Sequence, residues 1–290
     1  MQYENSGTTT GKGSAQHGSR EPNTPSGVAA WLDCAWRLIG TALSFALFGL
    51  GGLVLGIVVF PLSFVLMRDP AKRQEFARSL LGSAFRAFIW FIKSVGGLSY
   101  EVHGTEHMSD TRRMVIIANH PSLIDVVFLV SFFPRSECVI KRAVTRNPFM
   151  RGTVSAANYI SNENPEQLLA TCSERVTAGS SLILFPEGTR STHGERLRFK
   201  PGAAAIAVRS KARVLPILIQ CHPPTLRKHE PWYHIPRHRP HWTFEVHPPL
   251  ESADTYGPED NLRQATRKLQ ARLLDHYQTH LPASPDVTPE

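Results

Sequence analysis

Two short stretches of this chain carry side chains that could do chemistry together. In Asn119-His120-Pro121-Ser122-Leu123-Ile124-Asp125, a carboxylate stands five positions after a histidine. A histidine titrates near neutrality and can take a proton from a hydroxyl; a carboxylate on its other ring nitrogen fixes the tautomer and stabilises the imidazolium that forms. The second stretch is Phe185-Pro186-Glu187-Gly188-Thr189-Arg190-Ser191. Gly188 admits backbone angles and a close approach that a side chain would block, while Arg190 offers a planar fork of donors to an anionic substrate. Alone, His-x4-Asp is a weak signal that a solvated loop histidine would also satisfy, and Glu187 and Arg190 could simply pair with each other. Glu-Gly-Thr-Arg is the more specific motif, and it gives weight to the first. No Gly-x-Ser-x-Gly is present, which disfavours a serine nucleophile belonging to the chain itself; the attacking hydroxyl then comes from a substrate.

Positioning such groups falls to the segments around them. Short apolar or β-branched runs at 100–103, 114–118, 138–141, 159–160, 182–185, 214–220 and 242–247 read as strands. Helical spacing is found at 122–133, 165–177, 202–210 and 261–281. This alternation predicts an α/β fold: a mostly parallel central sheet flanked by helices. In such sheets functional groups gather where strands end and helices begin, and both motifs follow directly on a strand. Pro121 suits a first helical position, which predicts His120 at the mouth of a helix and Asp125 about one turn inside it.

Ahead of this domain, no side chain from Leu38 to Met67 carries a charge, and about 20 such residues would span a hydrocarbon core. Gly49, Gly51, Gly52, Gly56 and Pro61 interrupt the run, leaving open a tilted single span or a hairpin dipping into one leaflet. Arg68, Lys72, Arg73 and Arg78 crowd its C-terminal flank against Arg37 on the other. That asymmetry predicts an inner (cytoplasmic) membrane protein whose catalytic domain faces the cytoplasm. Residues 76–95 read as an amphipathic helix lying either at the interface or in the core. The expected organisation is a disordered tail at 1–27, N-terminal membrane helices at 28–98, a catalytic domain at 99–281 and a second tail at 282–290.

The net charge of +8 is spread along the chain without a nucleic-acid-binding motif and fits anionic lipid headgroups or an acidic carrier, so no nucleic acid partner is expected. Four cysteines lack paired spacing, so neither a zinc site nor a disulfide framework is implied. Six histidines lie between His222 and His247 among prolines, but Pro236 keeps His234 and His238 off one regular helix, and no metal is expected. With Trp232, Tyr233 and Trp242, this stretch reads as a loop covering the site or touching the lipid interface.

The two motifs together resemble the membrane-bound glycerolipid acyltransferases, the lysophospholipid or 1-acyl-sn-glycerol-3-phosphate acyltransferase family with its HX4D motif. Further matches are Lys141 with Asn147-Pro148-Phe149-Met150-Arg151-Gly152, Phe199-Lys200-Pro201-Gly202, and Val214-Leu215-Pro216-Ile217 as a buried strand near the acyl chain. The resemblance covers about residues 99–250. It implies transfer of a fatty acyl group from acyl-CoA or acyl-carrier protein to a lipid hydroxyl in phospholipid biosynthesis, with no bound cofactor and no metal. By that resemblance His120 is the general base and Asp125 its orienting carboxylate; Glu187, Gly188, Thr189, Arg190 and Lys141 bind substrate. Oxyanion stabilisation is expected from backbone N–H groups near the helix opening after His120. One position departs: Asn162 stands where lysophosphatidate enzymes carry an arginine for the acceptor phosphate, and an amide cannot neutralise a phosphate. The acceptor could therefore be a different lipid, of the lyso-aminolipid or aryl-polyene type. A non-catalytic lipid-binding module and a thioesterase are the rival readings.

Overall fold

The computed structural model describes residues 27–191 and 196–281. The expected tails, apart from Gly27, lie outside the described residues. Helix α1 (Val28–Val54) passes through a π-helical segment (Leu55–Val59) into α2 (Phe60–Leu66), and α3 (Pro70–Ser94) returns after a short turn capped by Asp69. Neither the glycines nor Pro61 breaks the first helix. The π turn, closed by the Phe60 N–H on the Leu55 carbonyl, precedes the proline and is the irregularity that absorbs it.

Strands β1 (Ser99–His103), β2 (Met114–Ala118), β3 (Glu137–Ile140), β4 (Ile160–Ser161), β5 (Leu182–Leu184), β6 (Arg213–His222), β7 (His241–Val246) and β8 (Leu250–Glu251) form one sheet. Their order is β1-β7-β6-β2-β5-β3-β4, with β8 beside β6. Pairing is parallel except where β6 meets β7 and β8. Helices α4 (Asp125–Phe132), α5 (Arg142–Arg146), α6 (Pro148–Ala156), α7 (Pro165–Thr177), α8 (Gly202–Ser210) and α9 (Leu262–His280) complete the chain. This is the expected α/β architecture; α5, α6 and β8 are elements the sequence patterns did not indicate.

The central strand β2 is buried throughout, as a parallel strand covered on both faces must be. Met114, Ile116 and Ala118 face the core layer shared with α3 and α4, and Val115 and Ile117 face the layer under α8 and α9, following the two-residue period of a strand. The open question over residues 76–95 resolves toward the core. Ala77, Leu81, Phe85, Phe88 and Ile92 are buried at helical spacing on one face of α3, while Trp90 stays 68% exposed on another.

Helix α1 runs along the catalytic domain. Trp36 donates to the Val95 carbonyl at 2.9 Å. Farther along, a Cβ on Gly52 would come 2.4 Å from the Phe149 carbonyl oxygen, and one on Gly152 would come 2.5 Å from the Gly56 Cα. The glycines that looked like helix breakers instead let α1 and α6 touch backbone to backbone, with Thr153 Oγ1 donating to the Gly52 carbonyl at 3.2 Å. Two of the arginines counted for membrane orientation are also engaged by the protein. Arg37 is buried and donates to the Pro236 and Arg237 carbonyls, each at 2.7 Å. Arg78 pairs with buried Glu137 at 3.1 Å.

A proline within a central strand removes a ladder donor, and Pro216 of β6 sits opposite Ile117 of β2. Beside it the Tyr277 hydroxyl, from α9, accepts from the Ile217 N–H at 3.2 Å and donates to the Ile117 carbonyl at 2.6 Å. A side chain thus bonds the backbone of both β2 and β6. Tyr277→Phe removes a buried hydroxyl that bonds the backbone of both strands and is expected to cost about 1–3 kcal/mol. Chemical denaturation checks this, and an unchanged midpoint with an unchanged slope would show that the hydroxyl contributes nothing.

Candidate active site

The parallel strands β2, β5, β3 and β4 end on one rim, and each delivers a candidate residue there: His120 after β2, the Glu187–Arg190 turn after β5, Lys141 after β3 and Asn162 after β4. Asn119 fixes where β2 stops. Its side-chain amide exchanges two hydrogen bonds with the backbone of Ile219, both 2.8 Å, so it continues the β2–β6 ladder while the main chain turns away with His120.

His120 Nδ1 lies 2.9 Å from Asp125 Oδ2. The two side chains meet as their spacing predicts, but on a different backbone. Helix α4 begins at Asp125 itself, and Pro121 to Ile124 form a turn rather than the first helical residues. Asp125 holds that turn: Oδ2 also accepts from the Ser122 N–H at 2.6 Å, and Oδ1 accepts from Ser122 Oγ at 2.5 Å and Trp242 Nε1 at 3.3 Å. The carboxylate is fully buried, and its four donors offset the loss of water. An acceptor of this kind requires the proton on His120 Nδ1, which leaves a lone pair on Nε2. The imidazole stacks on Phe185 with centroids 4.1 Å apart and keeps 17% of its side-chain surface exposed, enough for a substrate hydroxyl to reach it.

Glu187 points back to the first motif. Its Oε1 accepts from the His120 N–H at 2.9 Å and from Ser191 Oγ at 2.8 Å, and the Ser191 N–H donates to the His120 carbonyl at 2.7 Å. Burial raises the Glu187 pKa, against the lowering effect of these two hydrogen bonds. The two motifs are therefore stitched into one loop pair through the backbone of the histidine. Gly188 has φ +70, and a Cβ there would come 2.8 Å from Lys200 Nζ. Its lack of a side chain both permits the turn and admits the lysine. Thr189 is half-buried in the same turn.

Arg190 Nη1 donates to the carbonyls of Leu226 at 2.9 Å and Arg227 at 2.8 Å. It does not pair with Glu187. The Pro-rich stretch 223–240 becomes a strap held on one side by Arg190 and on the other by Arg37 of α1, with Trp232 packed 5.9 Å from Phe45 between ring centroids. Lys141 is exposed at the start of α5, and exposed Asn162 caps that helix, its Oδ1 accepting from the Arg142 N–H at 3.0 Å. Of the amides expected to serve an oxyanion, Ser122 N–H is bonded to Asp125 and Leu123 N–H to the Leu226 carbonyl at 3.1 Å. Asn119, Ser122 and Trp242 are the positioning residues that sequence reasoning missed. A serine two places after the histidine was visible, but the approach of Trp242 depends on a strand more than a hundred residues away.

Residues 99–220 match the family model described as Acyltransferase. The 1-acyl-sn-glycerol-3-phosphate acyltransferase of Pseudomonas aeruginosa is 29% identical over 187 residues, covering 62% of this chain and 70% of that one. The protein of the same name from Helicobacter pylori is 27% identical over 195 residues, covering 64% and 76%. In fold, the chain is similar to the crystal structure of the 1-acyl-sn-glycerophosphate acyltransferase PlsC from Thermotoga maritima, with a TM-score of 0.61 at 21% identity over 86% of this chain and 99% of that one. An oriented histidine and an arginine-bearing turn thus stand on the rim of a sheet similar to that of PlsC, inside the segment that matches the Acyltransferase model, and the chain is an enzyme similar to the 1-acyl-sn-glycerol-3-phosphate acyltransferases.

Proposed function

We propose that the chain transfers a fatty acyl group from acyl-CoA or an acyl-carrier protein to the hydroxyl of a lysophospholipid-type acceptor, the 1-acylglycerol-3-phosphate O-acyltransferase reaction. The observation that carries this reading is the 2.9 Å contact of His120 Nδ1 with a buried, four-fold bonded Asp125, which leaves Nε2 as a base on the rim that also carries the Arg190 turn. In the proposed reaction the acceptor oxygen attacks the thioester carbonyl as its proton passes to Nε2. The tetrahedral intermediate then collapses, the C–S bond breaks, and the departing thiolate takes that proton. Arg190, held by two carbonyls that do not cancel its charge, binds the acceptor's anionic group, with Lys200 over Gly188 and Lys141 on the neighbouring strand end adding positive charge. Glu187 and Thr189 shape the turn. No bound cofactor or metal enters these steps.

The proposed location is the cytoplasmic face of the inner membrane. The helix from Trp31 to Leu66 is long and apolar enough to cross a bilayer. Its contacts with the catalytic domain, through Arg37, Gly52 and Gly56, instead favour α1 to α3 lying in one leaflet as a helical hairpin, with Arg68, Lys72 and Arg73 meeting headgroups. Between α1 and α3 an apolar cleft of about 640 Å³, lined by Phe48, Leu55, Phe85, Phe88 and Met150, suits a lipid acyl chain.

Asn162 favours a second reading in which the acceptor lacks a glycerol phosphate, because its amide is occupied in capping α5 and supplies no charge. One experiment covers both readings: the purified enzyme in detergent is given labelled donor and a panel of lysophosphatidate, other lysophospholipids and lyso-aminolipids, with products read by mass spectrometry. Acylated lysophosphatidate supports the first reading, and preference for a neutral or amino acceptor the second. Free fatty acid released without any acceptor would sink both in favour of a thioesterase. Asn162→Arg is expected to lower the KM for lysophosphatidate without raising kcat; an unchanged KM would remove this position from the acceptor site.

A further inference from the structure

Three imidazoles converge away from the active site. His247 lies just past β7, and its N–H donates to the Pro216 carbonyl at 3.0 Å; His276 and His280 stand one turn apart near the end of α9. Their ring centroids are 4.5 to 4.8 Å apart, and one ring nitrogen from each falls within 4.8 Å of the others. A tetrahedral ion with metal–nitrogen bonds of about 2.0–2.1 Å needs ligands roughly 3.4 Å apart, so small rotations of the side chains would close the set.

The remaining ring nitrogens are disposed as metal-binding histidines dispose them. His280 Nδ1 is 2.8 Å from the His276 carbonyl, which frees Nε2. His247 Nε2 faces Glu245 Oε2 at 3.5 Å, which frees Nδ1 and sets a carboxylate behind the ring. His276 Nε2 is buried without a hydrogen-bond partner among the described residues. An unsatisfied buried nitrogen is costly in an ordinary surface cluster; in a metal site it is the ligand.

We propose that His247, His276 and His280 bind one divalent transition-metal ion of the zinc class, fastening the end of α9 to β7. The histidines between 222 and 247 made no plausible metal set by themselves, and the fold supplies the missing two from a helix about 30 residues further on. The site's role is structural. Tyr277 follows His276 and bonds β2 and β6 beside Pro216, whose carbonyl also holds His247. An ion here would lock in place the hydroxyl that joins β2 to β6 beneath His120.

The test is a titration of the full-length, metal-stripped protein in detergent with Zn²⁺ alone, in competition with a chromophoric chelator. One Zn²⁺ per chain is expected to bind, with X-ray absorption reporting three imidazole nitrogens and a rise in Tm on loading. His280→Ala, at an exposed position that leaves the core intact, is expected to weaken binding by at least about 10-fold and to abolish the Tm rise. His247→Ala should do the same, while His234→Ala, in the same histidine-rich stretch but outside the cluster, should change neither. Equal stoichiometry and affinity in wild type, His280→Ala and His247→Ala would mean an adventitious ion only and would overturn the proposal, as would the absence of Zn²⁺ binding. Acyl transfer is not measured in any arm, so the result stands apart from the proposed reaction.

Discussion

His120→Ala is expected to lower kcat by about 10²–10⁴-fold while the protein stays folded. The imidazole is the group on the rim with an oriented, accessible lone pair, and what fixes its loop does not depend on the ring. The Ser191 N–H binds the His120 carbonyl and Glu187 binds the His120 N–H; both bonds use the main chain and survive truncation to alanine. The check is steady-state kinetics on the purified variant alongside its circular dichroism spectrum and Tm. Turnover near the wild-type rate by a folded variant would remove His120 from the reaction, and the general-base assignment with it.

Asp125→Asn should produce a loss of similar or larger size, on the order of 10⁴ in kcat, as expected where a carboxylate fixes a histidine tautomer. The reason is local. Four hydrogens point at this carboxylate: His120 Nδ1–H, the Ser122 N–H, Ser122 Oγ–H and Trp242 Nε1–H. An amide turns one of the two acceptors into a donor. With its NH₂ at the Oδ2 position it opposes the immovable Ser122 N–H and drives the histidine to the tautomer protonated on Nε2, which cannot act as a base. With its NH₂ at the Oδ1 position it opposes the indole N–H. A variant retaining activity within about tenfold of wild type would show that tautomer control is not what Asp125 supplies. A measured KM close to the wild-type value would separate this effect from a general collapse of the acceptor site.

The parts of this protein that could be read from its residues are those with a local cause. The β2 run of five apolar residues, the α7 and α8 boundaries and the pairing of His120 with Asp125 all follow from periodicity or short spacing. The reading faltered where distant segments compete for the same backbone. Pro121 looked like a helix start, yet Asp125 captures the turn before it and delays the helix to residue 125. The glycines of the apolar run looked like breaks, yet they are close-approach points for α6. Arg37 and Arg78 looked like membrane-flank charges, yet one holds the strap and the other a buried glutamate.

By itself, then, the sequence determined the α/β class and the meeting of His120 with Asp125, because motif spacing and strand periodicity act within a few residues. Tertiary structure alone decided how those side chains are held. Trp242 and Ser122 complete the Asp125 shell, Asn119 ends the ladder at Ile219, and Tyr277 bonds the backbones of β2 and β6. It also brought His247 to α9. Each of these is a hydrogen bond or ring contact between segments far apart in the chain, made only because buried polar groups must find partners once the sheet closes around them.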